Sequence, residues 1–455
     1  MFVRYMVALG VAGVIGTSGC TSHKVEATWP EPRPLGNDIR AFQAPEDPTA
    51  EGPAAEDLRE PTRALTLRGA LALALIKNPE LAAFSWNVRA REALILQAGL
   101  FPNPEFEFEM EDFSGTGALR GFDGAETTML LGQLIELGGK RGKRKRLATL
   151  EHNLSGWDYE AKRLDVYADV AKAFVEVVGA QERVALSTEL VELAQQAVTR
   201  VSTRVRAGKD SPVEETKATV TLHMTRLELE RARRDLEGAR KRLAALWAST
   251  TPTFDKAEGS LEKIVPIPTV EQLVEVSAQN PDVARWDTEF EERQAAIDLA
   301  DAGKIPDLTI VLGGKHLSEI NESALVVGIG IPIPLFNRNQ GEALEARYRL
   351  AQARAEERAA HAQTDARLAE TYQALTTAYT VATALRDDVL PAAQSAYDMT
   401  SQGYQRGKFG FLDLLVAQRI LFEARKEYID ALTDYHRSSA DMERLIGQKL
   451  DTGTR

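Results

Sequence analysis

The chain has 455 residues, 27% of them charged, a formal charge of -12 and one cysteine. An acidic balance argues against a dedicated nucleic-acid binder, because affinity for phosphate comes from Lys and Arg. A single cysteine excludes an internal disulfide, and no run of about twenty apolar residues is present to cross a bilayer as a helix.

The first residues, MFVR, carry one cation; the apolar run YMVALGVAGVIG and then Thr17-Ser18-Gly19-Cys20 follow. This order predicts a secretory signal over residues 1–19, of the bacterial lipoprotein kind, cut before Cys20 so that its thiol carries lipid. Thr17 stands where such signals usually carry Leu. Thr21, rather than Asp, after the cysteine predicts export to the outer membrane. Acyl chains contribute roughly 0.8 kcal/mol per buried CH₂, so several of them tether stably. Residues 20–64 then hold Pro30, Pro32, Pro34, Pro45, Pro48, Pro53 and Pro61 among Glu, Asp and Ala, which predicts an extended tether without a core.

The remainder repeats itself. Asn78-Pro79-Glu80 returns as Asn280-Pro281-Asp282, Ala98-Gly99-Leu100-Phe101-Pro102 as Ala302-Gly303-Lys304-Ile305-Pro306, and Arg206-Ala207-Gly208-Lys209 as Gln405-Arg406-Gly407-Lys408. Each copy reads as short helices, two strands, a very long helix, a tight turn and a returning helix. The first copy spans 65–260, with strands at about 104–113 and 126–137 and helices at about 140–207 and 212–247. The second spans 261–450, with strands at about 307–314 and 324–335 and helices at about 340–406 and 411–447.

The strands show period-two alternation: Phe106, Phe108 and Met110 share one face, and Glu105, Glu107, Glu109 and Glu111 the other. Leu325, Val327, Ile329, Ile331, Ile333 and Leu335 likewise line one face, with Pro332 and Pro334 opposite. Strands of about ten residues are long enough to cross a bilayer at a tilt. Some 65 residues of helix at 1.5 Å each make a rod of roughly 100 Å, and Pro391 interrupts only the second one. The returning helices carry heptads, Leu222, Leu229, Leu236 and Leu243 in one and Leu414, Leu421, Tyr428, Tyr435 and Met442 in the other, which predict antiparallel coiled-coil seams. Four strands cannot close a barrel in lipid, where open edges are not tolerated. Three copies would supply twelve strands and twelve helical rods, with Glu105, Glu107 and Glu109 facing a water-filled lumen.

The stretch GGKRGKRKR follows the second strand and opens the long helix. At that place Lys140, Arg141, Lys143 and Arg144 are expected to meet phospholipid head groups. Basic residues beside leucine heptads suggest a basic zipper, but there the two are contiguous; here more than 70 residues separate Arg146 from Leu222.

Five stretches, LTLRGALALALIKNPEL, QAGLFPNPEFEFE, IELGGKRGKR, IPIPLFNRNQGEALEAR and GKFGFLDLLVAQRILFEARKEY, resemble the TolC family of outer-membrane efflux channels. Pairs such as IELGGKR with IPLFNRNQG look most like its heavy-metal branch, which serves cobalt, zinc, cadmium or copper and silver pumps. The resemblance implies a mixed α and β chain, internally duplicated, whose homotrimer forms a twelve-stranded outer-membrane β-barrel continued by a long periplasmic α-helical coiled-coil barrel. It implies a periplasmic adaptor and an inner-membrane, proton-driven pump of the RND type as partners. By its match, Arg206, Gly208, Lys209, Arg406, Gly407 and Lys408 mark the hairpin tips that meet the adaptor. Glu214, Asp413 and Tyr404 fall at the gate and its narrow acidic ring. Phe409 occupies a position where some members have a gating Arg, which leaves Arg406 and Lys408 as substitutes.

His23, His152, His223, His316, His361 and His436 are scattered without metal-ligand spacing, and neither a phosphate loop nor a nucleophile with a base appears. No catalytic residue, metal site or cofactor is expected. Two other readings remain: a lipid-anchored periplasmic coiled-coil scaffold without a pore, or the same channel serving drug efflux.

Overall fold

The computed structural model describes residues 32–49 and 60–450; the signal segment and Cys20 lie outside them. In chain order the elements are β1 (Ala64–Thr66), α1 (Leu67–Lys77), α2 (Pro79–Ala98), β2 (Glu105–Glu111), β3 (Glu126–Ile135), α3 (Lys140–Arg206), α4 (Pro212–Ala245), β4 (Lys256–Glu258), α5 (Val270–Ser277), α6 (Pro281–Ala302), β5 (Leu308–Leu317), β6 (Glu322–Gly330), α7 (Gln340–Ala384), α8 (Leu390–Gln405) and α9 (Phe411–Ile446). The chain divides into two compact units, and each takes a piece from both repeats.

The first unit comprises Arg91–His152 and Ala302–Arg338. Its core feature is a four-stranded antiparallel sheet in the order β2-β3-β5-β6. The register pairs Phe106 with Leu131, Phe108 with Met129, Leu131 with Leu312 and Leu312 with Val327, so these side chains share one face. The Glu105, Glu107, Glu109 and Glu111 face continues through Thr128, Lys315 and Glu322. Phe106 is 69% and Ile329 70% exposed, so the apolar face is uncovered in the single chain. The last strand ends at Gly330 rather than near 335. Pro332 and Pro334 cannot donate to a ladder, so the pairing stops before them.

The second unit comprises 32–49, 60–90, Asn153–Asp301 and 339–450. Its main core gathers Leu75, Leu81, Val170, Phe174, Val177, Leu243 and Phe254, and the short parallel pair β1–β4 lies within this unit. The repeated Asn-Pro motif has one job in both copies. Asn78 accepts from the Leu81 N–H and donates to the Leu246 carbonyl at the end of α4, each at 2.9 Å. Asn280 accepts from the Asp282 N–H at 2.9 Å and donates to the Leu445 carbonyl, also at 2.9 Å, near the end of α9. One buried amide thus caps a helix start and satisfies an orphan carbonyl at another helix end. The heptad residues Leu222, Thr225, Leu229 and Leu243 of α4 and Leu414, Leu421, Tyr435 and Met442 of α9 are buried.

One expectation changes here. The Pro-rich segment is not a free tether over 32–49, because Leu35 is fully buried. The buried Arg163 donates to the Leu35 and Arg33 carbonyls at 2.8 and 3.1 Å while paired with Glu160, which accepts from the Arg33 N–H. Helices distant in sequence supply the core that the segment lacks. The interruption expected at Pro391 in the second long helix takes the form of one π turn of five residues, Leu385–Val389, between α7 and α8. Pro391 has no N–H to give to the preceding turn and its ring crowds the carbonyl four residues back, so the helix widens once and runs on.

Candidate functional site

Both hairpins of the second unit turn on the same backbone. At the first, the Gly208 N–H donates to the Val205 carbonyl and the Lys209 N–H to the Arg204 carbonyl, both at 2.9 Å. At the second, the Gly407 N–H donates to Tyr404 at 3.0 Å and the Lys408 N–H to Gly403 at 2.8 Å. Gly208 and Gly407 hold φ of 69° and 73°, the left-handed conformation that ends a helix at little cost only for glycine. Ser211 then caps α4, with Pro212 in its first turn.

The side chains around these turns differ. The Arg204 guanidinium grips Asp210 in two hydrogen bonds, 2.7 and 3.0 Å, and lies 5.1 Å from the Tyr404 ring centroid. The Tyr404 hydroxyl donates to Asp210 at 3.4 Å. Tyr404 itself is buried with Val201, Ala218, Phe411 and Leu414. The bond from Arg204 holds the Asp210 carboxyl below the usual carboxylate range. Burial, and then the Asp210 charge, push the Tyr404 phenol up, so it stays a donor.

Of the three residues expected to share a constriction, Tyr404 therefore meets Asp210 and Arg204. Glu214 is half-buried and pairs with Lys217 at 3.0 Å. Asp413 is exposed and accepts from the Gly410 N–H at 2.9 Å, capping α9. The guanidinium of this cluster comes from Arg204, not from Arg406 or Lys408, which are exposed together with Arg206 and Lys209. Sequence reasoning missed Arg204 and Asp210; the signal was an Arg and an Asp flanking the glycine turn. Phe409 lies against Gly403 in place of a charged group.

In the first unit, three of the six cations of the basic stretch are engaged by the protein. Lys140 pairs with Asp307 at 2.8 Å, and Arg144 with both oxygens of Glu136 at 2.7 and 3.1 Å. Arg141 stacks 3.7 Å from the Phe101 ring centroid. Lys140 and Arg144 are thus not the free head-group cations expected of them, because acids at the strand ends neutralise them.

Residues 70–249 and 273–448 match the family described as outer membrane efflux protein. The chain is 35% identical over 390 residues to the cobalt-zinc-cadmium resistance protein CzcC of Cupriavidus metallidurans, covering 86% of this chain and 92% of that protein. It is 27% identical over 295 residues to the nickel-cobalt-cadmium resistance protein NccC of Alcaligenes xylosoxydans, covering 65% and 66%. Among solved structures, CusC superposes with a TM-score of 0.71 at 18% identity, over 84% of this chain and 92% of that one. The open-state MtrE outer membrane channel of Neisseria gonorrhoeae superposes at 0.69 and 20%, over 93% and 98%. At these identities the structural likeness speaks for the fold alone.

Proposed function

The chain belongs to the outer membrane efflux protein family, and we propose that it is the passive outer-membrane conduit of a three-part, proton-driven export system for heavy-metal cations. The observation that carries the reading is the four-stranded sheet with one apolar face, one acid-bearing face and two open edges. Such a sheet is stable in lipid only when further strands close it, and three copies supply twelve. The apolar face then meets lipid and the glutamate face lines water. The relationship to CzcC supports metal cations as cargo.

In this reading Cys20 carries the lipid anchor. The exposed turn residues Arg206, Gly208, Lys209, Arg406, Gly407 and Lys408 meet a periplasmic adaptor, which joins the channel to an RND-type inner-membrane pump. Tyr404, Glu214 and Asp413 stand at the tunnel entrance, and the Arg204–Asp210 pair fixes Tyr404 there. Chemistry is not required of the chain; its work is to position charge along a water path.

Reconstitution into planar bilayers tests this. Discrete single-channel steps from a trimeric preparation are expected, with cations preferred over anions. A preparation that binds membranes and conducts nothing would leave a coiled-coil scaffold instead.

A further inference from the structure

Six of the first seven residues of α3, all but Gly142, are cations, which tells against helix stability alone. Lys140, Arg141, Lys143 and Arg144 crowd a helix start that has no acid in its first turn, where the macrodipole disfavours cations. Such a breach of local preference calls for anions nearby. The protein supplies two, Asp307 for Lys140 and Glu136 for Arg144. No ion pair engages Arg141 or Lys145 among the described residues.

These two cations follow the corner where α2 turns toward β2. Arg144 donates to the Ala98 carbonyl at 3.2 Å, the Lys145 stem passes Gly99 (its Cδ 3.7 Å from where a glycine Cβ would stand), and Arg141 covers the Phe101 ring. The same corner walls a cleft of about 520 Å³, lined by Leu94, Leu100, Phe101, Pro102 and Leu147 with the paired Arg144. Leu94, Leu100 and Phe101 are 48%, 47% and 71% exposed. The two carboxylates in its wall, Glu136 and Glu151, are already paired with Arg144 and Arg91.

We propose that this cleft holds one anionic phospholipid of the periplasmic leaflet. Its phosphate sits on Arg141 and Lys145, and an acyl chain lies against Leu94, Leu100 and Phe101. Charge complementarity selects the occupant: an apolar floor alone would take any lipid, whereas two unpaired cations next to it, one over the lining Phe101 ring and one beside Gly99, select a negative head group. The inference rests on the reading of the adjoining sheet as membrane-embedded.

Native mass spectrometry of the full-length, detergent-purified protein with phosphatidylglycerol or phosphatidylethanolamine tests it, with single-channel recording on the same preparations. Phosphatidylglycerol should be retained preferentially, and each of Arg141→Gln and Lys145→Gln should weaken that retention about fivefold while conductance and trimer mass persist. Phe101→Ala should weaken both lipids alike. Equal retention of the two lipids, or unchanged retention in the charge variants, overturns the proposal. So does loss of the trimer in those variants, which would make the cleft a contact between copies of this chain. Selective phosphatidylglycerol retention by a protein that does not conduct would uphold the lipid site and reject the channel.

Discussion

At the first hairpin turn, Asp210 is gripped by Arg204 and touches Tyr404 of the second repeat; at the second, Asp413 caps only its own helix and Arg406 and Lys408 stand exposed. The backbones of the two turns are nearly the same, with Gly208 and Gly407 both left-handed. Duplication thus preserved the turn and let its side chains diverge. The long helices diverge in the same sense. α3 runs 67 residues without a break, whereas its counterpart widens into a π turn before Pro391. The contrast is confined to the turns: along the hairpins, α3 and α9 are joined by the ion pairs Arg183–Asp430 and Arg425–Glu189 as well as by apolar packing.

The largest effect should come from the closest approach of the unbroken helix. A Cβ on Gly179 would stand 2.6 Å from the Thr433 hydroxyl of α9, so α3 and α9 meet through a gap that only glycine leaves. Gly179→Leu should destabilise the protein by about 3 kcal/mol, read as a fall in thermal midpoint by circular dichroism. An unchanged midpoint would mean that α9 yields easily there, and that the first hairpin is no more fixed than the second.

Next come the two caps, where the repeats should behave alike. Asn78→Ala and Asn280→Ala each strand a buried carbonyl and an orphan N–H, at a cost of about 2 kcal/mol in denaturant unfolding. Unequal losses, with one near zero, would break the equivalence of the two copies at the one motif whose chemistry they share.

The duplication was plain in the sequence because Asn-Pro and Gly-Lys pairs recur at nearly equal offsets, 202 and 199, and both kinds of residue have fixed structural uses. The strands were legible from Phe and Glu in alternation, since a pleat sends neighbours to opposite faces. Pairings across long separations were not. Lys140 finds Asp307, 167 positions away, and nothing local to the basic run announces that acid. Leu35 looked coreless among prolines because its core is assembled from α1 and from α3, the latter more than a hundred residues on. Arg204 and Asp210 sit six apart, which no regular helix would bring together; the glycine turn does.

The Arg204–Asp210 pair predicts a pH response at the first turn alone. Its carboxyl is held below the ordinary range, so the grip is complete above about pH 4 and weakens as pH falls through the lowered value. Asp210→Asn should remove about 1 kcal/mol at neutral pH and abolish the acid step, followed by the fluorescence of a probe attached near the turn. A step of the same size in the variant would assign the response to other carboxylates.

The smallest effect on stability belongs to Asp413, and it separates two roles. As a cap at the start of α9 it satisfies the Gly410 N–H and meets the positive end of the helix dipole, a contribution of about 0.5 kcal/mol. As a member of a three-fold ring it would instead focus negative potential on the tunnel axis, attracting cations and repelling anions. Asp413→Asn keeps a side-chain acceptor but removes the charge, so the cap is nearly retained and the ring is lost. The expected outcome is an almost unchanged melting curve, with weaker cation preference and weaker block by divalent cations added from the periplasmic side in bilayer recordings. Identical selectivity and block in wild type and variant would reduce Asp413 to a helix cap. The exposed second turn would then differ from the first in its fastening only, and not in what it offers to a passing ion.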